Sequence, residues 1–448
     1  MCPLWPFHIV IMYLLMMAPL CILTWGATVK AMKSLPFKFN PSSLEMEMGQ
    51  TKRIEVYSED KRAIDYNWIP EAEKERDYVV RVSKTFLVNT GDRENWTSVF
   101  DVTANILGKA DVKLKSYDEN NKTEYESSDS LTVTVVREKR VIDKVFTYSV
   151  VILVSILYIN FGCALDWDFV KEILKKPVGP LIGFVCQFGF MPLFGFGLGR
   201  LLFPDMPEMQ LGLFFTGLSP GGGASNIWSV ALEANVDLSI AMTTISSLAA
   251  FGMIPFWLFA LGHNIFAEAK LSTPYSHISH YVVCLIVPLA IGYAVQRFLP
   301  RVSKILVRLL KPLSVSLIIF IVIFACVTNA YIFKLFTWQI LVAGLALPWL
   351  GYFIGYVAAF VLRQPMENVM TIAIETGVQN TGIAIFMLRL SLTQPAADIT
   401  TVIPVAVAVM TPIPLTLLYI CRKIRARHHE KKNLQLIKHG IINGNIQS

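Results

Sequence analysis

Charged residues are scarce in this chain. Only 16% of its 448 residues are Asp, Glu, Lys or Arg, whereas 54% are hydrophobic, and the mean hydropathy is +0.51. This composition excludes an ordinary soluble protein and favours a protein that crosses the bilayer several times. The net charge of +7 does not indicate a nucleic-acid partner, because the basic residues cluster in short segments between apolar runs.

Cysteine and histidine are missing where catalysis or disulfide bonding would need them. No cysteine lies between Lys30 and Arg140, so that stretch has no disulfide framework, and no cysteines elsewhere have metal-ligand spacing. Outside the two ends of the chain the only histidines are His263, His277 and His280, in or beside one loop. Without a base inside a span, we predict that the protein is not an enzyme and has no cofactor.

Residues 1–27 are predicted to be a signal peptide. An apolar run is followed by small residues, with Thr24 and Gly26 where a cleavage site is expected. The run has no Lys or Arg before it, which leaves an uncleaved signal anchor as the alternative. Either one directs the following segment out of the cytoplasm.

Residues 28–140 are predicted to form a small extracellular β-sandwich-like domain. Stretches such as "DYVVRVSKTFLVNT" and "SLTVTVVRE" are rich in β-branched residues, alternate partly with period 2, and are separated by turn-forming residues. Asn95 and Asn121 each begin an N-x-Thr sequon within this segment. We therefore predict glycosylation at both asparagines.

Residues 141–421 are predicted to form an all-α membrane domain of about nine spans, each long enough to cross about 30 Å of hydrocarbon. The predicted spans are 144–163, 178–203, 209–232, 238–261, 280–299, 313–333, 336–362, 367–390 and 398–420.

The distribution of basic residues predicts the orientation of the spans. Lys and Arg concentrate in the 164–177 and 297–311 loops and in the tail, 422–448. The positive-inside rule then places the basic tail in the cytoplasm and the amino-terminal domain outside, and we predict a plasma-membrane location. One group of basic residues on the outer side conflicts with this rule, so the upstream signal would have to override it: Arg137, Lys139, Arg140 and Lys144.

Two predicted spans contain helix-breaking residues. The first has "SPGGGASN", in which Pro220 is followed by Gly221, Gly222 and Gly223, and the second has Gly377 in "ETGVQNTG". Unwound backbone at membrane depth is tolerated only inside protein or beside a hydrated cavity. One break in each half favours a secondary transporter with inverted repeats and discontinuous helices, while close helix packing is the alternative for each break alone.

Glu375 is the most informative single residue. A carboxylate at bilayer depth costs at least about 2.5 kcal/mol, so it needs a partner. Arg389 is the only basic residue in the adjacent spans, and it lies near the outer end. A bound sodium ion would suit the neighbouring oxygens, whereas a protonated structural Glu or a proton-coupled carboxyl group are the alternatives.

Four segments resemble the bile acid:sodium symporter family. They are "CQFGFMPL" (186–193), "SPGGGASN" (219–226), "DLSIAMTTISSLAAFGMIP" (237–255) and "ETGVQNTG" (375–382), and the resemblance covers roughly 144–420. The long amino-terminal domain resembles that of the orphan members of the family. The resemblance implies a core and a panel related by an inverted repeat, with two crossing broken helices and two sodium sites in the core.

Carried over by position, the resemblance assigns ligands to both sodium sites. The first site would use Ser225, Asn226, Ser239, Thr243 and Glu375. The second site would use Gln187, Glu375 and Gln379 with the backbone oxygens of Thr376 and Val378. From the residues alone, Ser239 and Thr243 share a helix face, where hydroxyls also commonly bond the preceding turn, and Gln187 could simply bond another helix.

The family's activity implies symport of sodium with an amphipathic organic anion, such as a bile acid or a sulfated steroid. Two sodium ions with one monovalent anion would move one net positive charge inward. "TGIAIFMLRLSL" departs from the more polar run of the bile acid carriers, which leaves the substrate open. The alternatives are a proton-coupled carrier, an antiporter that would need an Asp pair inside a span, and a non-transporting receptor or assembly protein that uses the β domain.

Overall fold

The structure is a computed structural model, and it describes residues 33–73, 79–83, 87–90, 95–118, 123–138, 141–164, 175, 177–269, 275–309, 312, 316, 319–320 and 337–444. The predicted signal peptide, Asn121 and almost all of the predicted span 313–333 lie outside these residues. By their contacts the residues form two units. The amino-terminal unit comprises the described residues up to Leu44, Thr51–Thr103 and Ala110–Val133, and the larger unit comprises Glu45–Gln50, Ala104–Lys109 and everything from Thr134 onward.

The amino-terminal unit is rich in β-structure, as predicted. The strands are β1 (Lys33–Leu35), β2 (Lys38–Asn40), β3 (Ser43–Glu47), β4 (Thr51–Ser58), β5 (Ile69–Ala72), β6 (Val80–Val82), β7 (Trp96–Ala104), β8 (Gly108–Asp118), β9 (Thr123–Ser127) and β10 (Leu131–Val136), and residues of β3, β7, β8 and β10 also belong to the larger unit. Among the described residues one sheet has the order β1-β9-β8-β10-β3, with β5 also paired to β8, and the other has the order β2-β4-β7-β6.

Alternating burial along the strands explains this fold. In β7 the side chains alternate between buried and more exposed positions, which gives the strand one apolar face. The buried faces meet in an aromatic cluster in which the Phe37 ring lies 4.6 Å from Trp68 and 5.3 Å from Trp96. Such edge-to-face rings bury large apolar areas, so this core can form without disulfide bonds.

The larger unit is almost entirely helical. Its helices are α1 (Val141–Ala164), α2 (Val178–Leu202), α3 (Pro207–Leu218), α4 (Ala224–Ala231), α5 (Val236–Glu268), α6 (Tyr275–Phe298), α7 (Trp338–Val361), α8 (Met366–Gly377), α9 (Thr381–Ser391), α10 (Ala396–Thr400), α11 (Val402–Met410) and α12 (Pro412–Gly444).

Four helical segments of the described chain are long and apolar enough to cross a membrane: Val178–Leu202, Val236–Glu268, Trp338–Val361 and Ala396–His428. Many of their apolar side chains face outward, among them Phe259, which is 74% exposed. A soluble protein would not present so many apolar side chains to water, so the unit is consistent with a membrane domain.

The shorter helices pair in a way that divides the larger unit into two ends. Helix α3 packs against α9 and α10, and we call this the α9 end. Helix α4 packs against α8, and we call this the α4 end. Helix α1 packs chiefly along α6 and also contacts α9.

Candidate functional site

The two predicted breaks meet each other inside the larger unit. Helix α3 stops at Leu218 and α4 starts at Ala224, while α8 stops at Gly377 and α9 starts at Thr381. The amide of Gly222 donates to the carbonyl oxygen of Val378 at 2.8 Å, and the amide of Asn380 donates to that of Pro220 at 2.9 Å. These bonds satisfy backbone groups that the breaks release.

The glycines at the first break allow backbone to approach side chains closely. A Cβ atom on Gly221 would lie 2.5 Å from Oε1 of Glu375, and one on Gly222 would lie 2.9 Å from the carbonyl oxygen of Gln379. Gly377 is the last residue of α8, and a Cβ atom there would lie 2.1 Å from the ring of Tyr352. A glycine is therefore needed at position 377 because any larger residue would overlap the Tyr352 ring.

Glu375 lies at this junction and is only 2% exposed. The Ser239 hydroxyl donates to its Oε2 at 3.1 Å, and the Thr243 hydroxyl lies 2.5 Å from its Oε1. Thr243 also lies 3.0 Å from the carbonyl oxygen of Ser239, as expected for a hydroxyl that bonds the preceding turn. One helix face therefore presents two hydroxyls to the carboxylate.

Two further predicted ligands of the first site have oxygens with no hydrogen-bond partner. The Ser225 hydroxyl faces Glu375 without hydrogen-bond geometry, and among the described residues no group bonds it or the amide oxygen of Asn226. Ser225 is fully buried and Asn226 is 6% exposed. Buried oxygens of this kind are costly unless another ligand satisfies them, so they fit a cation at this point.

The predicted ligands of the second site lie beside the first. Nε2 of Gln187 donates to Oε1 of Gln379 at 2.8 Å and to the carbonyl oxygen of Ser219 at 2.6 Å. Nε2 of Gln379 donates to the carbonyl oxygen of Thr376 at 2.7 Å. The carbonyl oxygen of Val378 already accepts from Gly222 but keeps a second lone pair.

Gln187 is aimed inward by a local irregularity in α2. Residues Cys186–Phe190 form a π-helical turn, which widens the helix where Gln187 sits. Such turns are rare and are frequent at functional sites. Gln187 and Glu375 line the same small cavity, which links the two groups of oxygens.

The donor set is one carboxylate with neutral oxygens. In the part of the chain that the structure describes, no three His, Cys, Asp or Glu side chains cluster as a metal site would require. Hydroxyl, amide and carbonyl oxygens with a single carboxylate suit a hard monovalent cation better than a transition metal. The residues that the sequence predicts for both sites are therefore close together and chemically suited to sodium.

A cleft adjoins these oxygens on the α4 end. The volume of this cleft is about 60 Å³. Its lining includes residues of both breaks together with Leu157 of α1, Trp228 of α4, Ala408 of α11 and Pro412 of α12. An apolar wall with a few polar groups is typical of a site for an amphipathic molecule.

Two functional features were not predicted from the sequence. The side chain of Asn380 accepts from the amide of Ile383 and so caps α9. Asp398 is fully buried, and it lies 2.8 Å from Nη1 of Arg389. An N-cap Asn before Thr381 is a recognisable signal, whereas nothing in the sequence pairs Asp398 with a base.

Comparison with known proteins agrees with the family resemblance of the four sequence segments. The family model described as "Sodium Bile acid symporter family" matches residues 151–335, which include the first break but not the second. The ileal sodium/bile acid cotransporter of Oryctolagus cuniculus is 34% identical over 242 residues, which are 54% of this chain and 69% of that protein.

Two further relatives are similar over a comparable share of the chain. The sodium-dependent organic anion transporter of Bos taurus is 34% identical over 260 residues, 56% of this chain and 66% of that protein. The P3 protein of Mus musculus is 32% identical over 261 residues, 57% of this chain and 55% of that protein. The matched part thus spans about half the length of the P3 proteins.

Proposed function

The chain belongs to the sodium bile acid symporter family, and from that premise we propose that it is a sodium-coupled symporter of an amphipathic organic anion. This is a family of membrane transporters and not of enzymes. The observation that carries the proposal is the Glu375 carboxylate, which is buried beside the unpartnered oxygens of Ser225 and Asn226 where the two breaks meet.

In this proposal the two breaks belong to two crossing helices of an inverted repeat. The mutual hydrogen bonds of Gly222 with Val378 and of Asn380 with Pro220 support this reading, as does one break in each half of the membrane domain. Helices α1 and α6, which pack along each other, would form part of the panel. The broken helices with α2, α5 and α7 would form the core.

Two sodium ions would bind in the core. The first would be held by Ser225, Asn226, Ser239, Thr243 and Glu375, and the second by Gln187, Glu375, Thr376, Val378 and Gln379. Both ions would share the charge of Glu375. The mutual hydrogen bonds of Gln187 and Gln379 would be exchanged for bonds to the second ion.

The adjoining cleft is the proposed anion site. The amino terminus of α9 is exposed to it at Thr381, and a helix amino terminus favours negative charge. Bound sodium ions would add further positive charge. Binding of cations and anion would therefore be mutually dependent, and movement of the core against the panel would carry them together.

The names of relatives support the substrate class. They include an organic anion transporter and ileal bile acid cotransporters, so we propose bile acids or sulfated steroids as the first compounds to test.

Residues 1–27 remain a proposed signal peptide, 28–140 a proposed extracellular β-sandwich glycosylated at Asn95 and Asn121, and 422–448 a proposed cytoplasmic tail. The proposed location is the plasma membrane.

The test is uptake by cells that express the protein at a measured surface level. Labelled bile salts and sulfated steroids are offered in sodium buffer or in choline buffer, and we expect uptake only with sodium. Glu375→Gln should abolish that uptake. Glu367→Gln is the matched control, because Glu367 lies exposed in the first turn of the same helix.

Each result decides between the proposals. Sodium-independent uptake that rises at low pH and is lost in Glu375→Gln would show that the coupling ion is a proton and not sodium. Uptake that is unchanged in Glu375→Gln would refute the role of the carboxylate. Absence of uptake at normal surface level, with no sodium-dependent rise in the melting temperature of the purified protein, would favour a receptor.

A further inference from the structure

Asp398 lies between two arginines at the α9 end of the larger unit. Its carboxylate is fully buried, with Arg389 Nη1 at 2.8 Å from Oδ1 and Arg137 Nη2 at 3.4 Å from Oδ2. The side chains of Arg137 and Arg389 are 9% and 7% exposed. The three residues therefore form a buried ionic cluster, separate from the oxygens around Glu375.

The cluster joins parts of the chain that are distant in sequence. Arg389 is in the last turn of α9 and Asp398 is in α10, so these two belong to adjacent elements. Arg137 instead lies in the short connection between β10 and α1. The Arg137–Asp398 pair thus links the segment just before α1 to α10, which follows the broken helix in sequence.

The cluster lies at the end of the unit that is closed. Residues Ile383–Leu388 of α9 are all at most 3% exposed. At the α4 end, Gly223, Ala224 and Trp228 are partly exposed and line the cleft. The site can therefore be approached from the α4 end, while the α9 end is shut at the level of Asp398.

We propose that the Arg137–Asp398 ion pair is a closing contact of the transport cycle, which must separate before the cation site opens at the α9 end. The proposal rests on the transport function proposed above. Arg389 remains paired with Asp398 and keeps the carboxylate oriented. Arg137 acts as a positioning residue, because it reaches the cation site only through α9.

The chemistry of the contact favours a reversible closure over a permanent attachment. A buried ion pair adds little net stability compared with well-packed apolar side chains, because both charges lose hydration. When such a pair separates into water, hydration is regained, whereas opened apolar surfaces gain nothing. An ion pair is therefore suited to a boundary that opens and closes.

The experiment measures which end of the site is accessible, and it needs no transport substrate. Single cysteines replace Ala384 on the closed side and Ala224 at the cleft, and labelling by a small charged thiol reagent is compared with the parent protein. With Arg137→Gln, we expect Ala384→Cys to label about tenfold faster and Ala224→Cys to label more slowly, as the population shifts. Arg137→Lys should restore much of the original pattern.

The control is Lys144→Gln, which removes an exposed positive charge in α1. It should leave both labelling rates unchanged. If Arg137→Gln changes neither reporter, or speeds both through general loosening, the closing role is wrong. If the labelling shifts as expected in a protein that never shows sodium-dependent uptake, then the contact is real and the proposed function is what has failed.

Discussion

The backbone amide of Gly222 donates to the carbonyl oxygen of Val378 at 2.8 Å, so each helix break is held by the other. This bond places the end of the first break directly beside the residues that follow Glu375. A change at either break therefore alters both groups of candidate ligands.

Gly221→Ala should abolish sodium-dependent uptake. The added methyl group would lie 2.5 Å from Oε1 of Glu375, which is closer than non-bonded atoms approach. Relief of such overlap typically costs about 1–3 kcal/mol and would displace the carboxylate. Uptake per surface molecule is the measurement. Gly252→Ala is the control, since a Cβ there meets nothing within 4 Å.

Thr243→Val should raise the sodium concentration for half-maximal uptake by about tenfold, because it removes one hydroxyl from Glu375 at a cost of roughly 1.5 kcal/mol. Thr244→Val changes the neighbouring residue, whose hydroxyl bonds the carbonyl oxygen of Ile240 instead. Sodium titrations of uptake compare the two. Equal effects in both variants would contradict the assignment of Thr243.

Gln187→Leu should reduce the cooperativity of sodium activation. Gln187 donates to Gln379 and lines a small cavity together with Glu375. Loss of one of two coupled ion sites should lower the Hill coefficient from about two toward about one. Ser225→Ala weakens the other site, so the two variants together should remove sodium activation. A Hill coefficient unchanged in Gln187→Leu would count against a second ion.

Asn95→Gln should increase the electrophoretic mobility of the protein by the mass of one glycan. Asn95 is exposed immediately before β7, so an oligosaccharide there need not disturb the sheet. Asn105→Gln is the control, because Asn105 is also exposed but is not in a sequon. Removal of glycans with an endoglycosidase should make all three proteins run together. If Asn95→Gln migrates at the same position as the protein without the substitution, Asn95 is not glycosylated.

Local chemistry made much of the site predictable. Pro220 and the following glycines disfavour a helix wherever they occur, so the first break could be located within a few residues. A carboxylate amid apolar residues marked Glu375 for the same reason. Ser239 and Thr243 could be assigned to one face because helical spacing is regular.

The remaining features depend on contacts between distant segments. "CQFGF" contains no residue that demands the π-helical turn at Gln187, so the local sequence does not predict it. Likewise the sequence shows Arg137 only as a basic residue on the predicted outer side that conflicts with the positive-inside rule, whereas in the structure Arg137 is paired with Asp398. Ion pairs between separate segments leave no periodic pattern in one sequence.

Arg422 shows how far the membrane unit depends on the carboxy-terminal helix. Its guanidinium donates to the carbonyl oxygen of Leu232, at the end of α4. A truncation that removes Arg422 would leave that carbonyl oxygen without its donor. Reporter proteins should therefore be fused beyond the end of α12. A chain that ends before Arg422 would lack this contact, so its properties would differ from those of the full-length protein for a reason unrelated to the reporter.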